Sequence, residues 1–127
     1  MTARQTFTSG QTLTAAQVNA LAEANLAVNS QGTAPTYTLA LTDAGKLVTF
    51  SGAASTVTIP TNASVAFAIG DQINICQLGT AQVTIGTAAG VTLQSNGSKT
   101  KTASQFAVVT CVQYTANTWL LIGNTST

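Results

Sequence analysis

Residues 37–60, YTLALTDAGKLVTFSGAASTVTIP, decide the fold class of this chain. Apolar and polar residues alternate in this stretch with a period of two, which is typical of strands that bury one face. Turn-forming glycine segments at residues 43–45 and 52–55 separate three such runs. Pro60 ends the third run, because proline has no N–H group to donate to a strand ladder. The stretch therefore predicts three short β-strands.

The same alternation continues toward the C-terminus. Further strands are predicted over residues 62–69, 72–78, 82–85, 91–94, 104–114 and 117–123. The strongest turn signal is Asn96-Gly97, because both residues tolerate a positive φ angle. Short strands at this spacing predict a mainly β protein with a single β-sandwich or barrel-like domain over residues 36–127. Uncharged strand edges invite pairing with other chains, so we expect a cyclic homo-oligomer that covers them.

The segment before the β domain has a helical pattern. Thr14 is a favourable N-cap residue, and Gln17 completes a capping box with it. The sequence therefore predicts a helix over about residues 14–28, followed by a linker over residues 31–36. The apolar stripe of this helix is thin, so the helix is marginal by itself and needs a partner surface. That surface is either the chain's own β domain or another subunit, and residues 1–35 are predicted to form an attachment segment.

Charge is scarce in this sequence. Charged residues make up 6% of the 127 residues, and the formal net charge is +1. Soluble proteins usually carry about one quarter charged residues. The composition therefore lacks the basic footprint expected for binding nucleic acid or an anionic membrane surface. No apolar run is long enough for a membrane-spanning helix, and the first residues do not resemble a signal peptide.

The residue types needed for catalysis or metal binding are few and separated. The chain has no histidine, and its carboxylates, Glu23, Asp43 and Asp71, are isolated in the sequence. Cys76 and Cys111 lie in strand-like runs and are predicted to be buried free thiols, with a disulfide between them as the alternative. We therefore predict a protein that is not an enzyme and that uses no cofactor or metal.

Three aromatic residues in predicted strands are candidate ligand contacts. Tyr37, Tyr114 and Trp119 could stack on a sugar ring. Aromatic residues in alternating strands are more often core or interface residues, so both roles stay open at this point.

Two parts of the chain resemble proteins of tailed bacteriophages. Residues 7–19, FTSGQTLTAAQVN, are similar to the G-x-x-L-T-A-A-x-x-N opening of many phage fibre, tail and head-surface proteins. Residues 37–39, 43–48 and 56–60 resemble the small β domain of such virion proteins, and the likeness continues through residues 67–70, 73, 82–85 and 90–93. The resemblance implies a non-enzymatic, homotrimeric module of the virion surface.

The resemblance also implies a location and a partner. Long fibres carry repeats or a receptor-binding tip, whereas this chain has one predicted domain, which favours a capsid decoration (cement or knob) protein of the head surface. Such a protein docks on the major capsid protein or another virion protein. The residues expected to make the docking or subunit contacts are Phe7, Leu13, Thr14, Gln17, Val18, Leu21 and Val28. The alternative is a tail-fibre module that binds a receptor or a host surface glycan through Tyr37, Tyr114 or Trp119.

Overall fold

The structure is a computed structural model that describes residues 9–10, 14–15 and 27–127. In this part the chain is mainly β, and its strands form two sheets around one apolar core. The predicted mainly β, sandwich-like domain is confirmed. Most of the predicted helix lies outside the described residues, as do Phe7, Leu13, Gln17, Val18 and Leu21.

The described residues contain eleven strands and two short 3-10 helices. The 3-10 helices are Leu41–Asp43 and Asn96–Ser98. The strands, in chain order, are β1 (Val28–Gly32), β2 (Thr36–Thr38), β3 (Leu47–Phe50), β4 (Ser55–Ile59), β5 (Gln72–Gln77), β6 (Val83–Thr87), β7 (Thr92–Ser95), β8 (Lys101–Thr102), β9 (Val108–Thr115), β10 (Thr118–Gly123) and β11 (Thr125–Ser126).

Strands β1 to β9 alternate between the two sheets, and β9 and β10 then pair as an antiparallel hairpin in sheet A. Sheet A has the order β1-β3-β5-β9-β10-β7, and sheet B has the order β11-β8-β6-β4-β2. Strands β1, β3 and β5 are parallel to one another, and so are β2, β4 and β6. Parallel neighbours need a crossover connection, and here a strand of the opposite sheet supplies it. The first six strands therefore wind in three coils, each of which gives one strand to each sheet.

The inward-facing residues follow the predicted alternation. Val57 and Ile59 of β4 are buried, as are Ile73 and Ile75 of β5. Thr56, which precedes Val57 in β4, is exposed. Side chains alternate between the two faces of a strand, so one face of each strand enters the core. The remaining large core side chains are Leu39, Val48, Phe50, Phe67, Val83, Ile85, Val109, Trp119 and Leu121.

A buried polar link also connects the two sheets. The Thr102 hydroxyl of β8 donates to the side-chain oxygen of Gln77 in β5 and accepts from the Val83 N–H at 2.9 Å. The Gln77 amide nitrogen donates to the Gly79 carbonyl oxygen at 3.0 Å. Each of these groups has a partner, so the link does not leave a desolvated donor or acceptor behind.

The predicted strand over residues 62–69 is absent, because the chain forms turns there. The N–H groups of Ser64 and Val65 both donate to the Thr61 carbonyl oxygen, at 3.0 and 2.9 Å. The Asn62 N–H donates to the side chain of Asn117 at 2.8 Å. Turn bonds and a side-chain acceptor therefore satisfy these N–H groups without a ladder. The apolar alternation in residues 62–69 reflects burial of Phe67 in the core and not pairing with a neighbouring strand.

The start of the β domain also differs from the prediction. Val28, expected at the end of the helix, is the first residue of β1 and pairs with Leu47 of β3. The expected linker over residues 31–36 begins inside the same strand, since Gln31 and Gly32 belong to β1. This segment is mostly polar and shows no period of two, so its pairing comes from the open edge of β3. The first described strand of sheet A thus begins at residue 28, inside the predicted attachment segment.

The two cysteines are free and buried. Cys111 of β9 pairs with the inward-facing Ile73, whereas Cys76 pairs with Val108. Because side chains alternate along a strand, the two sulfur atoms lie on opposite faces of sheet A and cannot bond to each other. Burial raises the pKa of both thiols, that of Cys111 to about 12.

Candidate functional site

Trp119, one of the three candidate ligand contacts, lies in the core. Its side chain is 0% exposed and packs edge-to-face on Phe67, with the ring centroids 5.3 Å apart. In this conformation the indole offers no face to a sugar. Of its two possible roles, the structure places Trp119 in the core.

Tyr37 is half-buried and joins the first coil to the second. Its hydroxyl donates to Asp43 Oδ2 at 2.6 Å and accepts from Asn29 Nδ2 at 3.1 Å. Asp43 is fully buried and also accepts from Asn29 Nδ2 at 2.8 Å and from the Ala40 N–H at 2.8 Å. The Tyr37 ring also packs edge-to-face on Phe50, at a centroid distance of 6.4 Å. Its hydroxyl therefore stabilises the fold.

This environment predicts a pH effect on stability. Burial, and then the hydrogen bond to Asp43 and its charge, raise the pKa of Tyr37 to about 12. In unfolded protein a tyrosine titrates near pH 10. The unfolded chain therefore loses this proton first, so the stability that Tyr37 contributes is present below about pH 10 and is lost as the pH rises to about 12.

An alkaline titration of phenolate absorbance tests this effect. We expect a component with a midpoint near pH 12 that is missing from the Tyr37→Phe variant. A component that titrates near pH 10 and disappears in the same variant would contradict the buried hydrogen bond.

Tyr114 is the most exposed of the three candidates. Its side chain is 49% exposed on the outer face of sheet A, the face directed away from the core. Its hydroxyl donates to Gln94 Oε1 of β7, which lies two strands away across β10. The ring is therefore available to a partner while its polar end is held in place.

Tyr114 belongs to an apolar patch on this outer face. The neighbouring positions in β9 and β10 are buried, which fixes the intervening residues on the outside. Leu120 pairs with Val112, and Ile122 pairs with Thr110, so these side chains are adjacent across the two strands. We name the β9/β10 patch by its residues Val108, Val112, Tyr114, Leu120 and Ile122.

The β9/β10 patch is also electrically neutral. Among the described residues, none in the six strands of sheet A is charged. The described carboxylates, Asp43 and Asp71, are buried between strands, and Lys46, Lys99 and Lys101 lie outside sheet A. A partner of the strand surface therefore meets apolar, hydroxyl and amide groups, and Lys99 lies in the groove at its border.

Two pairs of polar side chains on and beside the patch are hydrogen-bonded within the subunit. Thr110 Oγ1 donates to Asn74 Oδ1 at 2.7 Å, and Tyr114 bonds to Gln94. Burying a polar group costs free energy unless it keeps a hydrogen bond. Because these pairs form within the subunit, covering the face costs less than covering unpaired hydroxyl and amide groups.

Two of the residues predicted to dock on a partner are described. Thr14 is exposed. Val28 is 63% exposed and pairs with Leu47, whose side chain also lies on the outer face of sheet A. Val28 thus shares the face of the β9/β10 patch but lies at the opposite edge of the sheet. The other five predicted docking residues lie outside the described residues.

The sequence analysis did not identify Leu120 and Ile122 as surface contact residues, although the sequence contains a pattern that indicates them. In residues 119–122, WLLI, apolar residues occupy both alternating positions. Such continuous apolar runs are typical of strands that are buried on both faces. Leu120 and Ile122 are nevertheless 39% and 48% exposed, so the outer face of β10 is apolar without a cover from the described residues.

A partly open groove borders the patch. Leu120 and Ile122 line it together with the polar residues Asn96, Lys99 and Asn124. The groove therefore resembles the polar rim of an interface more than an enclosed small-molecule site.

The described residues contain no cluster of three side chains that could ligate a metal. No helix in this part of the chain is long and apolar enough to span a membrane. A comparison of the sequence with protein-family models and with curated proteins finds no match.

Proposed function

We propose that this protein is a non-enzymatic structural component of a phage virion, a capsid decoration protein of the head surface. The observation that carries the proposal is the uncharged outer face of sheet A and the apolar β9/β10 patch that it contains. Contiguous apolar surface of this kind on a compact domain marks a site of protein association. It suits a subunit that remains in an assembly.

The N-terminal segment is proposed to dock on the major capsid protein or another virion protein. Its resemblance over residues 7–19 to the opening of phage virion proteins supports this role. The exposed Val28 supports it too, because the segment enters sheet A at that residue. The protein is proposed to act as a homotrimer, as the resemblance implies.

The state of the described carboxylates supports a non-enzymatic role. Asp43 accepts hydrogen bonds from Tyr37, Asn29 and the Ala40 N–H. Asp71 is buried and accepts from the Ala68 N–H at 3.0 Å. Both carboxylates are used to hold turns, which is a common role of aspartate beside glycine.

Imaging of purified virions tests the proposal. We expect density that matches the β domain at regular positions on the capsid shell, and its disappearance from particles in which the gene is deleted. Density on the tail with none on the shell would reject the head assignment. Absence of the protein from purified virions would reject the virion assignment.

A second candidate function is receptor or glycan binding, and the exposed Tyr114 ring favours it. The Tyr114–Gln94 pair combines a stacking face with a fixed amide, which is a suitable arrangement for a sugar. A glycan array with purified protein separates the two functions. Reproducible sugar binding that is lost in Tyr114→Ala but kept in Thr56→Ala, a control on the outer face of sheet B, would favour this candidate.

A further inference from the structure

Phe106 extends the exposed apolar surface at one end of sheet A. It lies two residues before β9, and its side chain is 69% exposed. Leu78 directly follows β5 and is also exposed. Since Cys76 of β5 pairs with Val108 of β9, Leu78 and Phe106 lie at the same end of these two adjacent strands.

The backbone of Phe106 is strained. Its φ angle is 68°, a region that bulky residues rarely occupy. The N–H of Phe106 donates to the Gln77 carbonyl oxygen at 2.6 Å, which fixes this conformation. Strain of this kind persists where the surrounding structure imposes it, and it is concentrated at functional sites. Here the result is a phenyl ring held in solvent beside an apolar face.

We infer that the β9/β10 patch, together with Phe106, is the surface through which copies of this chain bind one another. The inference rests on the proposed structural role, and it assigns the subunit contact to the outer face of sheet A. The N-terminal segment then remains available for the virion.

The area of the face approaches that of a subunit contact. Strands lie about 4.8 Å apart and rise about 3.4 Å per residue, so each strand residue covers roughly 16 Å² of the face. The six strands contain 33 residues and therefore offer about 540 Å², before Phe106 and Leu78 are added. A standard stable interface takes about 800 Å² from each partner.

The charge of the face favours an identical partner. In a two-fold contact, or close to a three-fold axis, the same residues of the copies meet one another, so a charge on the face would approach a like charge. The six strands of sheet A avoid this repulsion because they are uncharged. The polar pairs Thr110–Asn74 and Tyr114–Gln94 keep their internal bonds when another neutral face covers them.

The sequence of β10 supports the same conclusion. Residues 119–122 are apolar on both faces of the strand, although in one subunit the outer half is exposed. Trp119 and Leu121 fill the core, and Leu120 and Ile122 remain for a partner. Phe106 adds an exposed phenyl ring at the edge of the patch, and aromatic residues, phenylalanine included, are enriched at protein interfaces.

Analytical ultracentrifugation of the full chain tests the inference. We expect the wild-type protein to form an oligomer, a trimer under the proposed function. Leu120→Lys places a charge at the centre of the patch, and we expect it to raise the apparent dissociation constant by at least about 100-fold. The matched control is Thr56→Lys on the exposed outer face of sheet B, which we expect to assemble like the wild type.

A second variant, Phe106→Gly, tests whether weaker assembly results from loss of the patch or from misfolding. Glycine adopts a φ angle of 68° without strain, so we expect this variant to melt at a higher temperature when monomeric. It nevertheless removes the exposed ring, and we expect the dissociation constant to rise by about tenfold. Better folding together with weaker assembly is a combination that a merely structural role for Phe106 does not produce.

Two results would overturn the inference. One is a wild-type chain that stays monomeric at high concentration, as it would if its own N-terminal segment covered the patch. The other is that the Leu120→Lys and Phe106→Gly variants both assemble as strongly as the wild-type protein. A dimer made through the patch would keep the inference and reject the proposed trimer, and patch-dependent assembly without virion attachment would reject the proposed function alone.

Discussion

Replacement of Trp119 by alanine is expected to lower the free energy of unfolding by about 3–5 kcal/mol. The indole is 0% exposed on the inner face of β10 and packs edge-to-face on Phe67. Alanine leaves a large cavity, and Phe67 loses its aromatic partner. Because small domains are stable by only about 5–15 kcal/mol, the variant is expected to be partly unfolded under mild conditions.

Equilibrium denaturation measures this effect, and Leu120→Ala is the matched control. Leu120 is the next residue of the same strand but is exposed on the outer face. We expect that change to cost less than about 1 kcal/mol in the monomer, because surface substitutions have small effects. A loss below about 1 kcal/mol for Trp119→Ala would mean that the core is arranged differently.

Gly123→Ala is expected to destabilise the domain by about 3 kcal/mol or more. Gly123 has a φ angle of +115°, and an added Cβ would lie 2.5 Å from the Val108 carbonyl oxygen and 3.0 Å from Val109 Cα. Gly123 also pairs with Val109 in the β9–β10 ladder. The atoms that the added Cβ would contact belong to the backbone of β9. They can move only if the ladder that carries the β9/β10 patch is disturbed.

Comparison with Gly90→Ala separates the cost of the steric contact at Gly123 from the cost of a positive φ angle alone. Gly90 has a φ angle of +90°, but an added Cβ would meet nothing within 4 Å. A left-handed conformation costs an L-residue about 1–2 kcal/mol, so we expect Gly90→Ala to lose only that amount. Equal losses in the two variants, measured by denaturant unfolding, would show that the contact at Gly123 is not rigid.

The alternation of apolar residues predicts most of the core but not the topology. Val57, Ile59, Ile73, Ile75 and Leu121 face inward as the period of two requires. The period reveals which face of a strand is buried, but it does not reveal which strand lies beside it. The alternation of strands between the two sheets therefore could not be derived, and neither could β1, whose polar residues are held by the edge of β3.

Burial and exposure of the candidate site residues were also only partly predictable. Trp119, Tyr37 and Tyr114 all occupy strand-like runs, yet the first is a core residue, the second bonds to Asp43, and the third is exposed. The difference between their environments depends on contacts between residues that are far apart in the sequence. The apolar run at residues 119–122 did contain information about the outer face, since both of its alternating halves are hydrophobic.

We propose that this protein assembles on a virion through contacts that contain little charge. The most direct measurement is the fraction of protein retained on purified virions as NaCl is raised from physiological to molar concentration. We predict unchanged retention, because salt screens charges but does not weaken buried apolar contacts. Leu21→Asp should reduce retention, because docking would then bury an unpaired carboxylate. Complete release of the wild-type protein by molar NaCl at neutral pH would contradict the account.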